Sequence, residues 1–239
     1  MDNKQDIINL NKPAGPTSHD MVDLVRKVRG ERTVGHAGTL DPFAEGVLLI
    51  LVGREATRRQ KEFMSMPKTY VATLCLGATS DTDDLTGKIT DVIPAEVGIH
   101  DLEVETAHGS RIKSGMTKEH IEKVLKSFIG DIEQVPPAYS AIKLKGKKAY
   151  ELARKGITPE LKSRIVHIED IKLLRYTWPK LEIEVDCGSG TYIRSLARDI
   201  GKKIGCGAYV EKLVRTRIGP YLIEEAVFPD HLKTSSLQT

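Results

Sequence analysis

Apolar residues recur along the chain with two periods, one of three to four and one of two, between turns rich in glycine, proline and aspartate. Ile7, Ile8 and Leu10 mark a short strand, and the turn 11–16 follows, with Pro13, Gly15 and Pro16. Thr17 with Asp20 three residues later forms a capping box. Met21, Leu24, Val25 and Val28 then share one helical face, which predicts a helix ending at Gly30. The run 46–53 is apolar between two glycines and reads as a buried strand, 54–66 as a basic, weakly amphipathic helix, and 70–76 as a strand closed by Gly77. Residues 97–115 carry mixed charge, two glycines and no clear period, so a loop is expected there. Ile121, Val124, Leu125, Phe128 and Ile129 define a second helix before Gly130. A short helix at 150–155, strands at 165–174 and 181–187, and a helix opened by Ser189-Gly190-Thr191 come next. Ile193, Leu196, Ala197, Ile200 and Ile204 form the apolar face of that helix. Short strands over 210–222 and a tail at 231–239 complete the chain. Strands and helices intermix without regular alternation, which predicts an α+β fold with a mostly antiparallel sheet in a single domain over 1–230.

Composition narrows the class. At 239 residues and 40% hydrophobic, the chain can bury one full core. Its polar, acidic start is no signal peptide and no apolar run approaches a membrane span, so a cytoplasmic protein without membrane contact is expected. Cys75, Cys187 and Cys206 are too few and too scattered for a metal site or a disulfide framework, and they read as packing residues. The net charge of +3 says little about partners, but its distribution says more. Basic residues gather at Arg26, Lys27, Arg29 and Arg32, at Arg54, Arg58, Arg59 and Lys61, at Lys143, Lys145, Lys147 and Lys148, and in Arg194, Arg198, Lys202, Lys203, Lys212, Arg215 and Arg217. If these segments converge, they make a footprint for a phosphate backbone; otherwise they are solvated faces.

Three segments carry candidate chemistry. Gly35-His36-Ala37-Gly38-Thr39-Leu40-Asp41-Pro42 puts a carboxylate on a loop whose glycines admit another molecule's backbone, with Pro42 fixing the chain direction after the acid. Asp41 is either a presented catalytic acid or a turn cap. Gly188 to Arg194 places Tyr192 and Arg194 in the first turn of a helix. Arg194 and Arg198, four apart, can reach a carboxylate and a phosphate, or can both face solvent. Tyr70 can stack on a base or close the edge of a core. Asp81-Thr82-Asp83-Asp84 has donors for a hard cation, but ahead of Gly87 it reads better as a turn. Phosphate-loop, nucleophile-elbow and zinc motifs are absent from the sequence, so no cofactor or metal is expected.

Together these pieces resemble the TruB family of tRNA pseudouridine synthases over nearly the whole chain. The resemblance rests on Ile8-Asn9-Leu10-Asn11-Lys12-Pro13-Ala14-Gly15-Pro16-Thr17-Ser18, on the Asp41 segment with Ala44 and Gly46, and on Gly130-Asp131-Ile132-Glu133-Gln134-Val135-Pro136-Pro137-Ala138-Tyr139-Ser140-Ala141. Lys145-Gly146-Lys147-Lys148-Ala149-Tyr150 and Gly190-Thr191-Tyr192-Ile193-Arg194 follow in the right order. The resemblance implies a pseudouridine synthase fold with a bent, mostly antiparallel mixed sheet flanked by helices. It implies an isomerase, without cofactor, that cuts the N1 to C1′ bond of uridine 55 in the T loop of tRNA, turns the uracil and joins C5 to C1′. Asp41 matches the family's essential aspartate, which attacks C1′, adds to C6 or removes the C2′ proton. Arg194 matches the arginine that pairs with it, and Tyr70 the tyrosine that stacks on the base. His36 matches a histidine that opens the RNA loop, and Tyr192 and Leu213 match pocket residues. A monomer binding the T arm, with no guide RNA and no C-terminal PUA domain, is expected. A tRNA-folding protein with secondary catalysis, or a synthase acting on other RNA, are the alternatives. Asn11 stands where the family often has an aspartate.

Overall fold

A computed structural model describes residues 6–92, 103–105, 111–113, 117–140, 142–144, 146–153, 156–157, 159 and 161–234. The chain forms two compact units, Met1–Val71 with Leu213–Thr239, and Ala72–Lys212. In chain order the first unit contributes β1 (Ile7–Lys12), α1 (Ser18–Arg29), β2 (Val34–Ala37), β3 (Glu45–Val52), α2 (Gly53–Arg58), α3 (Gln60–Ser65) and the start of β4 (Lys68–Leu76). The second contributes β5 (Ala78–Ser80), β6 (Ile89–Asp91), β7 (Glu103–Glu105), β8 (Arg111–Lys113), α4 (Lys118–Lys126), β9 (Gly130–Gln134), β10 (Lys143–Leu144), β11 (Lys147–Lys148) and α5 (Ala149–Ala153). It continues with β12 (Arg164–Thr177), β13 (Lys180–Cys187), α6 (Ile193–Ile204) and the start of β14 (Ala208–Ile218). The chain returns to the first unit within β14, followed by β15 (Tyr221–Leu222) and α7 (Pro229–Thr234). The fold is α+β with mostly antiparallel pairing, as the intermixed periods predict.

In the first unit β3 is the organising strand. β1 runs antiparallel along one edge, from Ile7 opposite Leu51 to Lys12 opposite Gly46. The other edge is shared: β2 pairs with its second half, ending at Ala37 opposite Leu49, and β14 pairs parallel with its start, at Val214–Glu45 and Arg215–Gly46. Leu48, Ile50 and Val52 pack with Ile8, Leu10, Met21, Val22 and Val25, while Val47, Leu49 and Leu51 pack with Ala37, Ala56, Phe63 and Ile218. Burial on both faces explains why this run is apolar without alternation. The capping box is present: Thr17 Oγ1 accepts the Asp20 N–H at 3.1 Å, and the Asp20 carboxylate accepts the Thr17 N–H at 2.7 Å.

In the second unit β4, β13, β12 and β9 lie side by side, with β12 antiparallel to both β13 and β9. Ile121, Val124 and Leu125 of α4 and Leu196, Ala197 and Ile200 of α6 are buried, as their periods predict. The three cysteines are buried and form no disulfide, in keeping with packing roles.

Four expectations need correction. Residues 54–66 form two short helices meeting at Arg59, because only Ala56 and Phe63 are buried and no continuous apolar stripe holds one helix together. Within 97–115 the described residues form an antiparallel pair, β7 with β8, whose three-residue strands are too short for periodicity to show; the rest of that span lies outside the described residues. Over 210–222 the chain makes the end of one long strand, β14 to Ile218, and only one short one, β15. The expected tail begins later, since α7 runs to Thr234 and Leu232 packs against the core; 235–239 lie outside the described residues.

Gly46 tests how tightly β14 seats on β3. Its φ is +104°, and an added Cβ would lie 2.2 Å from the Arg215 carbonyl oxygen, a backbone atom that cannot swing aside. Gly46→Ala is expected to cost about 3 kcal/mol or more, read as a lower thermal midpoint; an unchanged midpoint would refute the close seating.

Candidate active site

The loop 38–44 leaves the sheet between β2 and β3, so its backbone has no ladder partners and must find others. It finds them at alternate carbonyls. Arg215, 1% exposed, donates from Nη2 to Gly38 O at 3.1 Å and from Nε to Val47 O at 2.7 Å. Ser18 Oγ donates to Leu40 O at 2.9 Å and accepts the Leu40 N–H at 2.8 Å. Lys12, fully buried, donates from Nζ to Pro42 O at 3.1 Å, Ala44 O at 2.7 Å and Pro13 O at 2.7 Å, and Gly15 N–H reaches Pro42 O at 2.8 Å. An ammonium has three donors, and three carbonyls take them. Asp41, half-buried, sits between two of these fixed carbonyls, and its own carbonyl accepts the Ala44 N–H at 3.1 Å.

The same unit holds His36, Tyr70 and Leu213. His36 lies in β2 opposite Ile50; burial, then the Arg215 and His19 charges, hold its imidazole below the ordinary value, so it is neutral at neutral pH. Tyr70 and Leu213 are both buried. The residues before Tyr70 are fixed: Lys68 Nζ donates to Met64 O and Met66 O, and Arg217 Nε donates to Thr69 Oγ1 at 2.8 Å. Of the two loop glycines, Gly38 has φ +91° and uses the freedom expected of it, whereas Gly35 lies in β2 without a left-handed backbone.

Tyr192 and Arg194 belong to the second unit. Tyr192 is the N-cap of α6, one residue outside the helix, and Arg194 is buried in the first turn. Arg194 donates to Thr82 O at 3.1 Å and Tyr139 O at 3.0 Å and lies 3.5 Å from Asp84 Oδ2. Arg198 is bonded to Asp83 at 2.7 Å and Asp199 at 3.1 Å, so it meets carboxylates where a phosphate was one reading. The stretch 81–84 is accordingly the β5–β6 turn, with Asp83 and Asp84 facing arginines.

Three site residues escaped the sequence reading. Lys12 and Ser18 lie inside the first motif but carry no visible chemistry of their own. Arg215 was counted in the phosphate footprint, yet it is buried. The pattern of β14 does not mark it, because the alternate positions that include Leu213 and Arg215 also include Glu211 and Arg217.

Set beside known proteins, residues 26–193 match a family model described as TruB family pseudouridylate synthase, N-terminal domain, and 194–238 match one described as tRNA pseudouridylate synthase B C-terminal domain. The class is therefore that of the pseudouridylate synthases. The chain is 44% identical over 233 residues to a tRNA pseudouridine synthase B of Parabacteroides distasonis, covering 95% of this chain and 91% of that protein. It is 45% identical over 224 residues to the synthase of the same name from Gloeobacter violaceus, covering 92% and 70%. The chain belongs to the TruB family. Among solved structures, it resembles a chain of a Cbf5-Nop10-Gar1 complex with a TM-score of 0.67 at 29% identity, covering 93% of this chain and 51% of that one. It also resembles a chain of an H/ACA RNP bound to a substrate RNA containing 2′-deoxyuridine, with a TM-score of 0.62 at 28% identity, covering 93% and 50%. The chain thus spans about half the length of these solved chains. Among the described residues no helix is long and apolar enough to cross a membrane.

Lys12 supplies a pH test of the loop. Burial pushes its ammonium down from 10.5 to about 8, with Asp41 and Glu45 opposing the shift. Between those values the unfolded chain holds the proton more often than the folded one, so the Lys12 contribution to stability rises with pH across the window. Relative to Lys12→Met, the wild type is expected to gain about 1–2 kcal/mol in urea unfolding between about pH 7.5 and about pH 9.5, less than the full shift would give. Parallel curves for the two proteins would show that Lys12 is not buried as a cation.

Proposed function

We propose that this chain is a tRNA pseudouridine synthase that isomerises uridine 55 in the T loop, with Asp41 as its nucleophile or base. The observation that carries the reading is the loop around Asp41, whose carbonyls at 38, 40, 42 and 44 are each held by a side-chain donor. A turn cap does not need such support, whereas a reacting carboxylate must be placed to a fraction of an ångström. The name shared by the curated relatives supports tRNA as the substrate and, with it, a cytoplasmic site of action. Identity of 44–45% to those relatives, against 28% to the chain of the H/ACA RNP, supports an enzyme that needs no guide RNA.

On this reading the target uridine leaves the folded T loop, at a cost of roughly a few kcal/mol. His36, neutral and near the loop, opens the RNA. Tyr70 stacks on the uracil and helps remove the C5 proton, Tyr192 and Leu213 line the pocket, and Arg194 steadies the Asp41 carboxylate. Breaking N1–C1′ and forming C5–C1′ moves one proton from C5 to N1, so the reaction balances without any co-reactant. Lys27, Arg32, Arg54, Arg58 and Lys61 in the first unit and Lys202, Lys203 and Lys212 in the second are exposed and remain available for T-arm phosphates.

Asp41→Ala is expected to abolish pseudouridine formation on a T-arm transcript, measured by pseudouridine-specific chemical labelling, while leaving transcript binding within about 3-fold. Retained product yield would remove Asp41 from the chemistry.

A further inference from the structure

Resting on the reading of Tyr192 as a pocket residue, we propose that Gln134 and Arg164 are positioning residues, a cross-strand clamp that fixes Tyr192 and leaves one face of its ring to the substrate. The two are direct partners in the antiparallel register of β9 and β12. Partners in such a pair project to the same face of the sheet. There they converge on one residue. Gln134 is fully buried and uses both ends of its amide on the backbone of Tyr192: Oε1 accepts the Tyr192 N–H at 2.9 Å, and Nε2 donates to the Tyr192 carbonyl at 3.1 Å. Arg164 places its guanidinium carbon 4.8 Å from the centroid of the Tyr192 ring, over its face, and also donates to the carbonyl of Gly190.

Tyr192 needs this support. It caps α6 with an extended backbone, φ −102° and ψ 112°, and no side chain caps that helix end. Its carbonyl also accepts the Leu196 N–H at 3.0 Å, so the group held by Gln134 opens the helix that carries Arg194. Because Arg164 covers one face, an incoming uracil meets the opposite face or the hydroxyl. A guanidinium over a tyrosine ring is attractive, which selects one ring orientation from several.

The test is a double-mutant cycle on the full chain with a T-arm transcript. Arg164→Ala is expected to slow single-turnover pseudouridine formation about 10-fold in the wild type and less than about 2-fold in a Tyr192→Ala background, because the interaction it removes is already gone. Equal slowing in both backgrounds, or none in the wild type, overturns the clamp. Arg164→Lys, which keeps the cation but not the fork, is expected to recover part of the rate. If Arg164→Ala does not fold, Arg164→Gln serves in its place, since it too removes the guanidinium from the ring; Gln134→Glu, which removes the donor to the Tyr192 carbonyl, is read by fluorine resonance at position 192. A readout independent of activity completes the design: the fluorine resonance of 3-fluorotyrosine at position 192 is expected to shift in Arg164→Ala, and an unmoved resonance overturns the proposal. A wild type that forms no pseudouridine would refute the functional reading, while the fluorine resonance still decides the clamp.

Discussion

Three backbone carbonyls converge on the buried ammonium of Lys12, and the placement of Asp41 depends on that convergence. A loop that leaves a sheet exposes carbonyls that burial would strand, at a cost of about 1–3 kcal/mol each. Here Lys12, Ser18 and Arg215 meet them from three different elements, β1, α1 and β14. The irregular segment becomes as fixed as the strands beside it without adopting their pairing. Burying two cations is itself costly, and carbonyl dipoles compensate only when every donor finds one. That requirement ties the first motif, the Asp41 loop and the last long strand into one unit, though they are far apart in sequence.

The second unit solves a similar problem with similar means. Arg194 is buried against two carbonyls and the Asp84 carboxylate, and Asp84 in turn accepts from Thr82 Oγ1 at 2.8 Å and the Thr86 N–H at 2.9 Å. The difference lies in the acceptors. Lys12 and Arg215 are held mainly by neutral carbonyls, which fix a backbone, whereas Arg194 also faces an anion, which fixes a charge. The first arrangement places a loop; the second holds a guanidinium in one orientation.

Much of this fold can be read from the sequence, because its helices and strands bury apolar faces of regular period. The stripe Met21, Leu24, Val25, Val28 and the apolar run 46–53 mark α1 and β3 within a residue or two. The candidate site is legible only in part. Asp41, Tyr192 and Arg194 stand out because an acid between glycines and an aromatic-arginine pair after Gly190 look like chemistry. Lys12 and Arg215 do not, since a buried and an exposed cation are the same letter, and the face of β14 that carries Arg215 also carries Glu211 and Arg217. Gln134 was equally silent: its two bonds to Tyr192 close a contact across 58 residues that no local pattern encodes.

The proposed reaction gives these silent residues a common reason. The uracil is cut from the sugar and rejoined through another atom, so it must stay captive while it turns, and the site can let neither its acid nor its wall drift during that turn. A flexible loop bearing the same aspartate and tyrosine would lose alignment in the interval between the two bonds. Holding backbone atoms removes the freedom of the chain beneath Asp41 and beneath Tyr192. Lys12, Ser18 and Arg215 do this for the Asp41 loop in the first unit, and Gln134 does it for Tyr192 in the second, each by bonding backbone carbonyls or amides outside the strand ladders.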